Sequence, residues 1–234
     1  MKTWFITNFP NVVQQGWGGE TGWWTSITQT LFMTFWSAIF GGLFGLIFGV
    51  CLVLFDTDGI LPNRAIFNVF DKIVSLFRAV PFIILLAFIA PVTQKIVGTQ
   101  IGTTAALVPL SVGVFPFYAR QVQVALQSVN HSTIESAQAL GSTNWDIISE
   151  VYLSEAFPEL IRVSTVTLIS LVGLTAMAGA IGAGGLGNMA ISYGYNRFAN
   201  DVTLVATILV VILVLLIQVV GDLWAKWVNH TQTN

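Results

Sequence analysis

The stretch nearest to a chemical motif is Gly182-x-Gly184-x-x-Gly187, which has the spacing of a dinucleotide fingerprint. That fingerprint works only with a strand before it and an acidic residue after it in a βαβ unit, where the turn brings a pyrophosphate onto helix amides. Neither is available here, so the match carries no cofactor chemistry. No G-x-x-x-x-G-K-[ST] phosphate loop occurs either. ATP hydrolysis, if it powers this protein, must therefore take place on a partner. His131 and His230 lie outside the apolar stretches without a set of Cys or carboxylate ligands at metal spacing, so they read as solvated polar residues and no metal site is expected. Cys51 lies in an apolar run, where it is most simply a small packing residue, and a lone cysteine forms no intrachain disulfide. The sequons at Asn130 and Asn229 read as chance matches. No convergent catalytic group emerges.

The elements around these residues belong to a bilayer. Of 234 residues, 55% are hydrophobic and 9% charged, against roughly 25% charged in a soluble domain. Uncharged intervals run over 21–55, 79–94, 96–119, 163–196 and 202–221. A membrane helix needs about 20 mostly apolar residues. Four intervals meet this, and the fifth does so if Arg78 snorkels its guanidinium to the interface. A membrane β-barrel would alternate apolar and polar positions, whereas Ile208–Ile217 is apolar all round. The expectation is an all-α membrane protein with one domain over 1–234 and spans near 28–54, 74–92, 101–120, 160–183 and 203–224. Trp4, Trp17, Trp23 and Trp24 suit an interfacial aromatic belt. No cleavable signal is evident and no basic patch points to nucleic acid.

Five spans place the termini on opposite sides. With the N-terminus outside, Arg64, Lys72, Arg78, Arg120, Arg162 and Lys226 are cytoplasmic, against Lys2, Lys95 and Arg197 outside, which favours N-out, C-in. The polar insert at 131–159 then faces the cytoplasm and carries Glu135, Asp146, Glu150, Glu155 and Glu159, five of the chain's eleven acids. Ser132-x-x-Glu135 matches a capping box, Gly141 can end a helix in the left-handed conformation, and Thr143-x-x-Asp146 marks a second start. A short helix, a glycine turn and a second short helix are expected, a solvated loop being the alternative.

Two stripes of small residues permit close helix approach: Gly41, Gly45 and Gly49 in the first span, and Ala176, Ala180 and Gly184 in the fourth. Intrachain packing is the simpler reading of the first. Five helices are few for enclosing a pathway, and twofold homo-oligomers are the commonest symmetry, so a homodimer is expected.

At the insert the chain resembles a known family. Glu135-Ser136-Ala137-Gln138-Ala139-Leu140-Gly141, followed after nine residues by Val151-Tyr152-Leu153, is similar to the E-A-A-x3-G-x9-I-x-L-P loop of ABC-importer permeases. Phe77–Leu86 and Leu171–Gly187 resemble the permease subunit of methionine-uptake ABC transporters, and the likeness runs from about Thr30 to Lys226. The resemblance implies a multi-pass permease of the bacterial inner membrane, paired with a second copy. It implies two ABC ATPase subunits, which carry ATP and Mg, and an extracellular lipoprotein that delivers methionine. Glu135, Ser136, Ala137, Ala139, Leu140, Gly141 and Leu153 would form the ATPase-coupling surface. Leu174, Met177 and Ala180 would line the pathway near its gate, although Met177 by spacing alone reads as core filler. Ser136 stands where the motif prefers Ala. Ser154 replaces the motif proline, so the second helix is expected to run on towards Pro158. Asp146 and Glu150 make this loop more acidic than is usual in the family.

An uncharged pathway also suits other small amino acids or zwitterions. An ion-coupled transporter or channel would keep ionisable relays within its spans, and no acid lies deep in one here. A membrane enzyme would need the convergent polar groups that are missing.

Overall fold

The computed structural model describes residues 8–19 and 21–232, with side chains as far as Val228. Lys2 and Trp4, and the side chains of Asn229 and His230, lie outside the described residues. Among the described residues every secondary-structure element is a helix and no strand occurs. Four helices are long and apolar enough to span a membrane, Trp23–Leu54 (α2), Thr103–Gln127 (α5), Phe157–Ala183 and Asn200–Val228, and a fifth span results if the bent pair Arg64–Ala79 (α3) and Phe82–Val97 (α4) is counted as one. Before α2 stands the short helix Pro10–Gln15 (α1). Leu31, Phe35, Ile39, Leu43 and Ile47 recur every four residues on an exposed face of α2, and Leu204, Ile208, Ile212, Leu215 and Val219 recur every three or four on the last helix. Such apolar stripes are stable against lipid and not against water.

The second span departs from expectation. Instead of one helix over 74–92, the chain bends sharply between Ala79 and Phe82. Pro81 has no N–H to continue the ladder and its ring keeps the preceding residue out of the helical region, and Val80 is extended at φ −82°, ψ 119°. The helix before the bend starts earlier than the apolar run suggested, because the Asn63 side chain accepts hydrogen bonds from the Ala65 and Ile66 amides. The third span runs past its expected end at 120 to Gln127, since Arg120 finds partners within the fold. The fourth is helical over Phe157–Ala178 (α9) and then passes into a wider-pitched turn, Gly179–Ala183, in which Ile181 and Gly182 leave helical geometry. The expected stripe Ala176, Ala180, Gly184 is therefore not one helix face.

Two compact units make up the chain: Met1–Phe40, Pro81–Val112 and Leu168–Leu216 in one, Gly41–Val80, Gly113–Thr167 and Ile217–Asn234 in the other. In the first, Val12, Trp23, Met189, Ala199, Val202 and Ala206 form a core. Trp23 donates from its indole N–H to the Val12 carbonyl at 3.1 Å, and the Asp201 carboxylate accepts from the Asn11 side chain and from the Asn11 and Val12 amides. These bonds hold α1 against the start of the last helix (Asn200–Gln232).

In the second unit Gly41, Gly45 and Gly49 are all buried. A Cβ on Gly45 would stand 2.9 Å from the Phe115 carbonyl and the Tyr118 ring, and one on Gly49 would stand 2.6 Å from Val122. The first small-residue stripe is thus where α2 meets α5. Leu52, Val74 and Ala119 fill a neighbouring core, flanked by Phe48, Phe67 and Phe70.

Candidate functional site

Insert 131–159, in the second unit, begins with a helix over His131–Ala139 (α6). Its cap is Asn130 and not the expected Ser132. The Asn130 side chain accepts from the Ser132 amide at 3.0 Å and from the Ser132 hydroxyl at 2.8 Å, which places Ser132 inside the first turn. Asn reaches donors two residues ahead of itself, so the upstream residue captures the orphan amide first. Glu135, freed from the box, approaches His131 Nε2 at 3.4 Å.

At the other end Gly141 has φ +81°. The Gly141 amide donates to the Gln138 carbonyl and the Ser142 amide to the Ala137 carbonyl, which satisfies carbonyls that the helix end would leave open. A second short helix, Asn144–Asp146 (α7), starts with the expected capping box: Thr143 donates to the Asp146 carboxylate from its amide at 3.0 Å and its hydroxyl at 2.7 Å, while its oxygen accepts from the Asp146 amide. The bonds from the Thr143 hydroxyl and amide hold the Asp146 carboxyl below its ordinary value of 3.8. A wider turn over Ile147–Tyr152 and the helix Leu153–Glu155 (α8) follow, so the helical chain passes Ser154 and stops at Ala156, and Pro158 stands in the first turn of α9.

The insert is rooted by Ile134, Ile147 and Tyr152, which are buried together with Val53, Leu126, Leu160 and Val163. Of the seven coupling candidates, Glu135, Ser136, Ala139, Leu140 and Gly141 are exposed, whereas Ala137 and Leu153 are half-buried against that core. Leu140 is 87% exposed and Trp145 73%. Both are large apolar side chains left bare on a hydrogen-bonded, well-rooted scaffold. Sequence reading did not single out Trp145, although a large aromatic in a polar loop is a signal of this kind.

The gate candidates belong to the first unit. Leu174 and Ala180 are half-buried, and Met177 and Ile181 are 41% and 48% exposed. Met177 is thus not core filler within its own chain. Beyond Ile181 the backbone is held by bonds from distant residues. The Gly102 amide donates to the Gly182 carbonyl at 3.1 Å, the Gly185 amide to Gln29 Oε1 at 2.7 Å, and the Leu186 amide to Thr30 Oγ1 at 2.9 Å. Gly179 and Gly187 let strands of backbone touch, since a Cβ on Gly179 would stand 2.6 Å from the Asn188 amide and one on Gly187 would collide with Ala176. The Gly182-x-Gly184-x-x-Gly187 pattern is accordingly a folded break in a membrane segment.

Residues 41–233 match the family model described as binding-protein-dependent transport system inner membrane component. The chain is 45% identical over 206 residues to the probable D-methionine transport system permease protein MetI of Haemophilus influenzae, covering 88% of this chain and 97% of the relative. Among solved structures it is similar to a chain described as inward-facing conformations of the MetNI methionine ABC transporter, with a TM-score of 0.85 and 45% identity over 87% of this chain and 94% of that one. A likeness of fold extends to an amino acid ABC transporter with histidines, at a TM-score of 0.71 and 17% identity over 96% of this chain and 97% of that one.

Proposed function

The chain belongs to the binding-protein-dependent transport system inner membrane components, and from that premise we propose that it is the permease subunit of an ATP-driven methionine importer, two copies of which enclose the pathway. The observation that carries this is the exposed pair Leu140 and Trp145 on an insert rooted in the membrane part of the chain. Two ABC ATPases, which bind the ATP and Mg, dock on the surface that runs from Glu135 to Gly141 and includes Trp145. Their closure pushes the insert. Because Ile134, Ile147 and Tyr152 share one core with Leu126, Leu160 and Val163, the push enters α5 and α9 directly. An extracellular lipoprotein delivers methionine: the relatives' names support the substrate, and the family's description supports a binding protein. The excess of basic residues on one side supports N-out, C-in. Leu174, Met177 and Ala180 line the gate, where the polarizable thioether of Met177 closes an apolar constriction.

The test is ATP-dependent methionine uptake by vesicles holding this chain with its ATPase and binding protein. Leu140→Ala and Trp145→Ala should each lower ATPase association about 30-fold, the scale of a buried anchor residue, and uptake should fall with it. Normal association and uptake in both variants would remove the docking role, and no methionine uptake by the intact system would remove the substrate. The isolated chain should not hydrolyse ATP.

A further inference from the structure

The glycine-rich break after α9 interrupts the helix: a wider-pitched turn ends at Ala183 and a one-turn helix runs over Gly185–Asn188, and the amides of its first turn, Gly185 and Leu186 among them, have no carbonyl partner within that turn. Gly182, Gly184 and Gly185 all have positive φ, and Ile181 is non-helical. Within a bilayer each unpaired backbone group costs several kcal/mol, so a break of this kind persists only if other groups satisfy it. Two side chains at the start of α2 do so for consecutive amides. Half-buried Gln29 accepts from Gly185 at 2.7 Å, and Thr30, 2% exposed, accepts from Leu186 at 2.9 Å while donating its own proton to the Ser26 carbonyl at 3.0 Å. The Thr30 hydroxyl is therefore oriented: its proton is committed to Ser26 and its lone pair is aimed at Leu186. The fit is close on both sides, since a Cβ on Gly184 would stand 2.6 Å from Gln29 Oε1 and one on Gly185 would stand 2.7 Å from Thr30 Oγ1.

We propose that Gln29 and Thr30 are positioning residues of the gate, a two-point latch that fixes the break at Gly182–Leu186 and thereby sets the orientation of Met177 and Ile181. This goes beyond the coupling surface and rests on the reading of α9 as a pathway helix. A wider-pitched helical turn runs into the latched segment over Gly179–Ala183 and another follows it at Met189–Gly194, and such turns are frequent at functional sites. A rigid core contact would need no such turns. The latch spans 156 residues of sequence, so a change in its two bonds couples the first span to the gate without any contact to substrate.

The experiment uses the full transporter in liposomes with its binding protein, and measures methionine taken up per ATP hydrolysed. Thr30→Val keeps the shape of the side chain and removes the acceptor; Gln29→Met does the same at the other point. Each should lower uptake per ATP about tenfold, by raising unproductive hydrolysis or leak, at an unchanged amount of assembled complex. Thr30→Ser, which keeps the hydroxyl, should restore the ratio. With Ile181→Cys in a Cys51→Ser background, the thiol-labelling rate should shift about threefold in Thr30→Val and return in Thr30→Ser. If Thr30→Val does not assemble, Gln29→Met carries the test from its half-buried position. Unchanged coupling and labelling in these variants, or equal effects of Thr30→Val and Thr30→Ser, would overturn the latch. Met177→Ala run beside them separates the two readings: uncoupling by Met177→Ala alone sinks the latch and leaves the gate, and uncoupling by the latch variants with a shifted Ile181→Cys labelling rate but a silent Met177→Ala keeps the latch on the pathway helix and removes Met177 as the closing side chain.

Discussion

Arg120 and Asp71 form an ion pair at 2.6 Å across 49 residues of sequence, and the other guanidinium nitrogen of Arg120 donates to Gln123 Oε1 at 2.7 Å. The pair joins α5 to the amphipathic helix α3 and explains how α5 continues through a charge. Both side chains are about one third exposed, so the pair contributes on the scale of a surface bridge, about 0.5–1 kcal/mol. Asp71→Ala should lower thermal stability in detergent by a few degrees at most. A double-mutant cycle with Arg120→Ala should return a coupling of about 0.5–1 kcal/mol, and a value near zero would show that the contact is incidental.

The α2–α5 seam is less forgiving. Gly49→Ala places a methyl 2.6 Å from Val122 and should destabilise the protein by about 1–3 kcal/mol through overpacking. Gly42→Ala, with open space at its Cβ position, should be close to neutral. Val122→Ala should not rescue Gly49→Ala, because the Val122 Cβ and the Ala119 carbonyl stay 2.6 and 2.7 Å from the new methyl, and thermal unfolding of the four proteins decides the matter. Equal effects at positions 42 and 49 would contradict this seam.

Gly141 and Gly98 form a matched pair: φ is +81° at one and +84° at the other, and neither has a neighbour at its Cβ position. Valine at either site carries the same backbone strain, about 1–2 kcal/mol. Gly141→Val should displace the insert and reduce ATPase association and uptake together, with membrane levels maintained. Gly98→Val should leave association intact. Equal loss in both would indicate general folding damage.

The Thr143–Asp146 capping box predicts a specific acid response. Its hydrogen bonds lower the Asp146 pKa in the fold, so their stabilisation is fully present above the unfolded value and is lost as pH falls through the folded one. The stability difference between the native chain and Asp146→Asn should be flat above about pH 5 and vanish below the folded pKa, which lies under 3.8. Unfolding in detergent across pH 2.5–7 checks it, and a difference that persisted at the acid end would assign the effect to another group.

The membrane class, the four long spans and the helix-turn-helix of the insert were legible in the sequence, because each depends on a local quantity. An apolar run of about 20 residues has its transfer energy wherever it sits, and Gly141 or Thr143-x-x-Asp146 acts within one turn of chain. The cap at Asn130 in place of Ser132 and the bend at Pro81 were local too, but there two neighbouring signals competed and the upstream cap and the proline prevailed. The remainder needed the tertiary structure. Which helix the Gly45 and Gly49 stripe faces, why Arg120 does not end a helix, and what holds Gly185 and Leu186 all depend on a partner tens to hundreds of residues away. A glycine reports that something approaches closely without saying what approaches, and a hydroxyl or amide such as Thr30 or Gln29 has no assigned acceptor role until folding brings one particular N–H within 3 Å.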